Sequence, residues 1–239
     1  MVGCGAAPID AVAVSDRNLV RDLVAHWTFD EQSGTTLTDR SGNGHDGQLS
    51  GGTWTEAGRF GGGLRLERGE TVTIPAFPQA TPNWTVSVWS KLTAADRAAF
   101  TAERAVLLTA ERGSTGGWEI EFDPRPGFEW VEASYYVGAP LNDYIILDCR
   151  CIEVDRWLHW TAVFDAASRR FNFYRGGVLA NSAALVAPIQ PGEPDLYIGT
   201  WYQGGRWFSG VVDDFAIWSR ALSADEVAAI DARVVPGTP

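Results

Sequence analysis

Along NWTVSVWSKL (Asn83–Leu92), residues of opposite kinds take turns. In an extended chain Trp84, Val86 and Val88 share one face, and Thr85, Ser87 and Trp89 share the other. That period of two predicts a half-buried strand. Similar segments recur at Leu23–Phe29, Leu64–Glu67, Thr71–Pro75, Ala105–Thr109, Trp118–Phe122, Trp130–Val137, Tyr144–Leu147, Trp157–Phe164, Arg170–Tyr174, Asp195–Thr200 and Phe208–Trp218. Glycine-, proline- and aspartate-rich turns separate them, among them Arg125-Pro-Gly, Asp165-Ala-Ala-Ser and Gly176-Gly177. Many strands at a spacing of about 8–12 residues, with no helices between them, predict an all-β sandwich or barrel.

Two helical pieces stand out. Leu92–Arg104 is alanine-rich and reads as a short surface helix or an irregular insertion. In LSADEVAAI (Leu222–Ile230), Ser223 and Glu226 have capping-box spacing, with Val227 and Ile230 turned to the sheet. Residues 1–20 read as a small-residue leader, 21–232 as one domain around a single core, and 233–239 as a tail.

The chain of 239 residues carries a net charge of −11 and has no run of basic residues. That excludes a phosphate-gripping, nucleic-acid-binding surface. The acidic balance suits an extracytoplasmic protein, and it suits calcium. No apolar stretch approaches the ~20 residues of a spanning helix. MVGCGAAP places Cys4 after a small residue and before a proline-bearing linker. This resembles the end of a bacterial lipoprotein signal, with Cys4 the lipidated residue, against the alternative of an ordinary leader. Cys149 and Cys151 are spaced i,i+2. A bridge between them requires the chain to bend, and two free thiols fit equally well.

Four stretches together resemble a known family. They are LVAHWTFDEQSGTTLTDRSGNGHDGQL (Leu23–Leu49), GRFGGGLRLERGETVTIP (Gly58–Pro75) with the NWTVSVWSKL that follows, RWLHWTAVFDAASRRFNFYRGGVL (Arg156–Leu179), and DLYIGTWYQGGRWFSGVVDDFAIWSRALSADEVAAI (Asp195–Ile230). In that order they resemble the laminin-G-like, concanavalin-A-like jelly-roll domains of bacterial surface and secreted proteins. Residues from about 94 to 155 depart from the pattern. The resemblance implies two antiparallel sheets in a jelly-roll sandwich. It implies that the first strand pairs with the last long strand, and that one short helix closes the domain. It also implies a non-catalytic module that binds a glycan or a surface protein.

A structural calcium ion is part of what the resemblance implies. Mapped here, its ligands are Asp30 or Glu31, the carbonyl of Ser41, Asn43, the carbonyl of His45, and Asp213, with Asp214 on the opposite face. Calcium takes oxygen ligands at about 2.3–2.6 Å. The loop TDRSGNGHDGQL (Thr38–Leu49) supplies oxygens on a glycine-rich chain that folds back on itself. The competing reading is that Asp39, Ser41 and Asn43 make only local turn bonds. The His45 ring suits a hard cation poorly. His26 and His159 sit in apolar strand patterns and read as satisfied core histidines.

For a glycan, aromatic faces and planar polar groups are needed. GTWYQGGRWFSG (Gly199–Gly210) gathers Trp201, Tyr202, Gln203, Arg206 and Trp207 around a Gly-Gly turn. Trp207 and Phe208 read as core, leaving Trp201, Tyr202, Gln203 and Arg206 as ligand candidates. A second cluster, with Tyr135, Tyr136, Asn142, Asp143 and Tyr144, adds Tyr136. Enzymatic activity is disfavoured. WEIEFD (Trp118–Asp123) resembles the E-x-D-x-x-E strand of laminarinase-type glycosidases but departs from it at two of the three carboxylates. It reads as an edge strand with a charged solvent face. No Ser-His-Asp or Cys-His order is persuasive.

Overall fold

The computed structural model describes residues 16–100, 104–112, 116–125, 129–136, 146–147 and 152–232. Cys4, Asn142, Asp143, Tyr144, Cys149, Cys151 and the tail lie outside the described residues. In chain order the elements are α1 (Asp16–Val20), β1 (Leu23–Trp27), β2 (Thr36–Leu37), β3 (Gly47–Ser50), β4 (Thr53–Phe60), β5 (Gly62–Leu66), β6 (Thr71–Ile74), β7 (Trp84–Lys91) and α2 (Ala94–Ala99). Then come β8 (Ala105–Thr109), β9 (Trp118–Asp123), β10 (Trp130–Tyr135), β11 (Ile146–Leu147), β12 (Trp157–Asp165), β13 (Arg170–Arg175), β14 (Val178–Ala184), β15 (Leu196–Ile198), β16 (Gly210–Trp218) and α3 (Ala224–Asp231).

The strands form two antiparallel sheets. Sheet A runs β14-β13-β12-β7-β16-β5-β4, with β1 also on β16, and sheet B runs β11-β10-β9-β8-β15-β6-β3-β2. Between them lies an aromatic core that includes the fully buried Trp27, Trp84, Trp160, Phe122, Phe164 and Phe208. Alternation explains the packing: Trp118, Ile120 and Phe122 of β9 point into this core, so Glu119, Glu121 and Asp123 point to the outer side of sheet B.

Two expectations change here. Every residue of β7 but its last is buried, so the strand is covered on both faces and not half-buried. On its outer face Thr85 bonds Arg220 and Leu222, Ser87 bonds His159, and Arg59 and Phe60 lie against Trp89. Beside it is a second apolar cluster, where Leu19 and Leu222 meet Trp218, Val227 and Ile230. That cluster packs α1 and α3 against the outside of sheet A, which the reading of a single core overlooked. The predicted cap of α3 is present, with Ser223 accepting from the Glu226 N–H and the Glu226 carboxylate accepting from the Ser223 N–H. α2 likewise starts with a capping box, between Thr93 and Asp96. Arg220 makes a two-point ion pair with Glu226 and donates to the carbonyls of Asn18 and Arg21. Trp218 donates to the Leu19 carbonyl, so the first and last described elements are tied together.

β1 pairs with β16 as expected, at Trp27↔Phe215 and His26↔Ala216. The same edge of β16 carries β5 along Gly210–Val212. The break between the two partners is a bulge, with Asp214 at φ +46°. The β4–β5 turn closes that break, because Asp213 accepts from the Phe60 N–H (2.9 Å) and Asp30 accepts from the Gly62 N–H (2.7 Å). Gly62 is required there: a Cβ would come within 2.6 Å of the Phe29 carbonyl oxygen.

Candidate functional site

The loop from Thr38 to Leu49 is organised by one carboxylate. Buried Asp39 accepts from the N–H groups of His26 (3.0 Å), Ser41 (2.9 Å) and His45 (3.0 Å) and from the Ser41 hydroxyl (2.9 Å). Burial raises its pKa, and these bonds outweigh that and hold it below the usual carboxylate range. Asn43 donates its amide to the carbonyls of Leu23 and Val24, and the His45 carbonyl accepts from the Trp27 indole (2.9 Å). The predicted calcium ligands therefore divide. Ser41, Asn43 and His45 sit against β1 at Leu23 to Trp27, whereas Asp30 and Asp213 hold the turn at Phe60 to Gly62. The loop wraps N–H groups around an anion, and a cation site needs the opposite polarity. As placed, the five residues bond to two different parts of the fold. Among the described residues no group of three or more His, Cys, Asp or Glu is arranged to hold a metal.

Asp213 is fully buried, and its Oδ1 has no hydrogen-bond partner. Burial pushes its pKa up to about 7, with neighbouring Asp214 adding to the rise and the Phe60 N–H opposing it. Asp214 itself bonds His26 Nε2 at 2.7 Å. Beside this pair, Ser87 Oγ lies 2.6 Å from His159 Nε2, and His159 Nδ1 lies 3.2 Å from Asp231 Oδ1. Sequence order did not suggest this Ser-His-Asp chain, because its members lie on β7, β12 and α3. It has the contacts of a nucleophile, base and orienter. However, Ser87 is 3% exposed, and the adjoining cavity of about 20 Å³ holds about one water. β7 is laddered to both β12 and β16, so its N–H groups are spent in the sheet and none serves as an oxyanion hole. The chain is a buried tie between sheet A and α3.

The second assembly lies on the outer side of sheet B. β9 sits between β8 and β10 and is not an edge strand. Its Glu119, Glu121 and Asp123 are 1%, 0% and 1% exposed, so the expected solvent face is buried. Glu132 stands directly opposite Glu121 on β10 and is buried too. Arginines keep these carboxylates in place. Arg104 bonds Glu121 and approaches Asp123 (3.6 Å) and Glu132 (3.8 Å), and Arg125 forks onto Asp123. Burial raises the pKa of Glu119 well above the carboxylate range, reinforced by Glu121 and Glu111. Burial lifts Glu121 to about 7, against the pull of Arg104.

This buried row supports the predicted ligand turn. Trp201 donates its indole N–H to the buried Glu111 (2.7 Å), and Arg206 lies over the Trp201 ring at 4.7 Å while reaching Glu121 (3.6 Å). Tyr202 stands edge-on to Trp201 at 4.6 Å, and its hydroxyl accepts from the Gln203 amide. Hence Trp201, Tyr202, Gln203 and Arg206 do come together. Trp201 is not a free platform, because Arg206, Tyr202 and Glu111 already engage it; Tyr202 and Gln203 face outward. Tyr136 is buried, and its hydroxyl donates to Glu119 (3.3 Å), so it belongs to the support. Sequence reading missed Glu111, Glu119, Glu121 and Arg104 as parts of this site. The one-face alternation of WEIEFD was the available signal.

The laminin G model of the concanavalin A-like lectin/glucanases superfamily matches residues 66–228, and the chain belongs to that superfamily. No curated protein matches the sequence. Among solved structures, domain 4 of AbnA, a GH43 extracellular arabinanase from Geobacillus stearothermophilus in complex with arabinotriose, is similar with a TM-score of 0.66 at 17% identity, over 88% of this chain and 98% of that one. The binding domain of Paraclostridial Mosquitocidal Protein 1 has a TM-score of 0.71 at 16% identity, over 89% of this chain and 52% of that one. A botulinum neurotoxin serotype D ligand binding domain in complex with N-acetylneuraminic acid has a TM-score of 0.70 at 13% identity, over 92% and 52%. At these identities the likeness establishes the fold alone, and the chain spans about half of each toxin domain.

Two outcomes follow from this geometry. If protein donors alone make the Asp39 clamp, Asp39→Asn lowers unfolding free energy by about 2–3 kcal/mol in denaturant titration, and chelator or added calcium leaves the wild-type melting temperature unchanged. A group whose folded pKa is raised holds its proton while the unfolded chain has lost it. Glu121, at about 7 against an ordinary 4.5, therefore lowers stability as pH rises through that window. The denaturation midpoint falls between about pH 5 and about pH 8, with a shallower slope in Glu121→Gln.

Proposed function

We propose that this chain is a non-catalytic module that binds carbohydrate outside the cytoplasm. The observation that carries this reading is the turn at 201–206. It presents the half-exposed ring of Tyr202 and the exposed amide of Gln203, and it is fixed from beneath by Glu111 and by Arg206 on Glu121. A rigid aromatic flanked by a planar amide is the pattern by which sugar rings are stacked and their hydroxyls held. The arabinotriose of the arabinanase domain and the N-acetylneuraminic acid of the toxin domain support a sugar as the ligand class. The extracytoplasmic setting is supported by the superfamily, and Cys4 is the proposed anchor. No described helix is long and apolar enough to cross a membrane.

A glycosidase reading would use the β9 carboxylates. Cleavage needs two carboxyls open to a sugar and, for retention, about 5–5.5 Å apart. All three are buried, Glu121 and Asp123 are paired with arginine, and Glu119 is held by Ser134 and Tyr136, which favours a supporting role. A protein partner is the second reading, supported by β14. This strand ends the path of sheet A and exposes Val178 (69%) and Leu179 (50%).

The test is calorimetric titration against a panel of oligosaccharides. Tyr202→Ala is expected to weaken sugar binding at least about tenfold with little change in melting temperature, because its ring is partly exposed and meets Trp201 edge-on. Binding that survives Tyr202→Ala and Gln203→Ala would place the ligand elsewhere. Loss of a protein partner on Val178→Glu, with sugar binding absent, would favour the second reading.

A further inference from the structure

Carboxylates already engage the arginines around the turn at 201–206. Around it, the described residues place Glu111, Glu119, Glu121, Asp123, Glu132 and Glu193 against Arg104, Arg112, Arg125 and Arg206. Each of these four cations already contacts a carboxylate. Arg206 is committed twice, with its face on Trp201 and one nitrogen 3.6 Å from Glu121. Arg112 lies 3.6 Å from Glu193. Near the Tyr202 hydroxyl, Glu111 and Glu193 outnumber Arg112. The turn's own backbone is partly spent as well: the Gly204 N–H donates to the Trp201 carbonyl and the Trp201 N–H to the Gly205 carbonyl.

Resting on the glycan reading, we propose that this site selects uncharged sugars and rejects anionic ones such as uronates, sialic acids and sulfated sugars. Recognition of an anion needs a guanidinium fork or a nest of free N–H groups. An incoming carboxylate that drew Arg206 away would take one of two cations from the buried Glu121, leaving Arg104 alone to face Glu121, Asp123 and Glu132. Glu111 and Glu193 near Tyr202 and the net charge of −11 repel an anion before contact. A neutral sugar meets none of these costs. It offers an apolar ring face to Tyr202 and hydroxyls to the Gln203 amide.

The experiment titrates the full chain with neutral arabino-, gluco- and xylo-oligosaccharides and, in parallel, with sialyllactose, oligogalacturonate and a heparin tetrasaccharide. Neutral ligands are expected to bind at least about tenfold more tightly than anionic ones, a difference readable directly in Kd. Their affinity should change less than about twofold between low and high salt, since no charge is paired on binding. Glu193→Gln, which removes the negative charge 3.6 Å from Arg112, should narrow the gap between the two classes. Glu121→Gln, if it folds, should narrow it further. An anionic glycan that binds as tightly as the neutral ones and is lost in Tyr202→Ala would overturn the selectivity while leaving the site in place. A discrimination unmoved in a folded Glu193→Gln would overturn the charge mechanism. Failure of both ligand classes to bind would remove the site itself, and the selectivity with it.

Discussion

Burying Glu119, Glu121, Asp123 and Glu132 in one patch of sheet B is the costliest choice in this molecule, and Arg104, Arg125 and Arg206 make it tenable. A carboxylate removed from water must be paired, hydrogen-bonded or protonated. All three solutions occur within a few residues. Asp123 is forked by Arg125, Glu121 is bonded by Arg104, and Glu119 is held toward its protonated form. The turn above inherits its geometry from this patch, since Glu111 holds the edge of Trp201 and Arg206 covers a face of it. A loop rich in glycine, which would otherwise sample many shapes, is thereby given one.

The same logic of carboxylates set against N–H groups closes the other sheet. β16 has β7 along one edge and shares the other between β5 and β1, so the chain's beginning and end meet on a single strand. Where the two partners leave a gap, Asp213 and Asp30 fill it by accepting from the β4–β5 turn. Asp39 repeats the device on the loop after β2. The glycines of that loop let N–H groups converge on a carboxylate, with Gly42 and Gly44 both at positive φ.

Much of the architecture could be read from the residues. Period-two patterns located β7, β12 and β16, and the Ser223–Glu226 spacing located α3. The short strands β2 and β3 and the more exposed β4 and β14 lacked an apolar face to announce them. The turn at 201–206 was legible because aromatic and planar polar side chains crowd a Gly-Gly pair. Its support was not, because what buries the WEIEFD carboxylates comes from Arg104, Tyr136 and Arg206, which are distant in sequence. Likewise Ser87 and His159 meet through the pairing of β7 with β12, and Asp231 joins them only by the packing of α3 on sheet A. The spread of the predicted calcium set over two parts of the fold was hidden for a related reason. Oxygen-bearing side chains were countable in the sequence, but whether carbonyls or N–H groups would face inward depended on the Asp39 side chain.

The central claim is that a sugar docks on a turn braced from beneath by a buried carboxylate. The chain has eleven tryptophans, each with an indole N–H visible by nitrogen-15 NMR. During titration with a neutral oligosaccharide, the account predicts saturable movement of the Trp201 indole signal, with the core signals of Trp27, Trp84 and Trp160 stationary. Saturable movement of a different indole with Trp201 unmoved would contradict it.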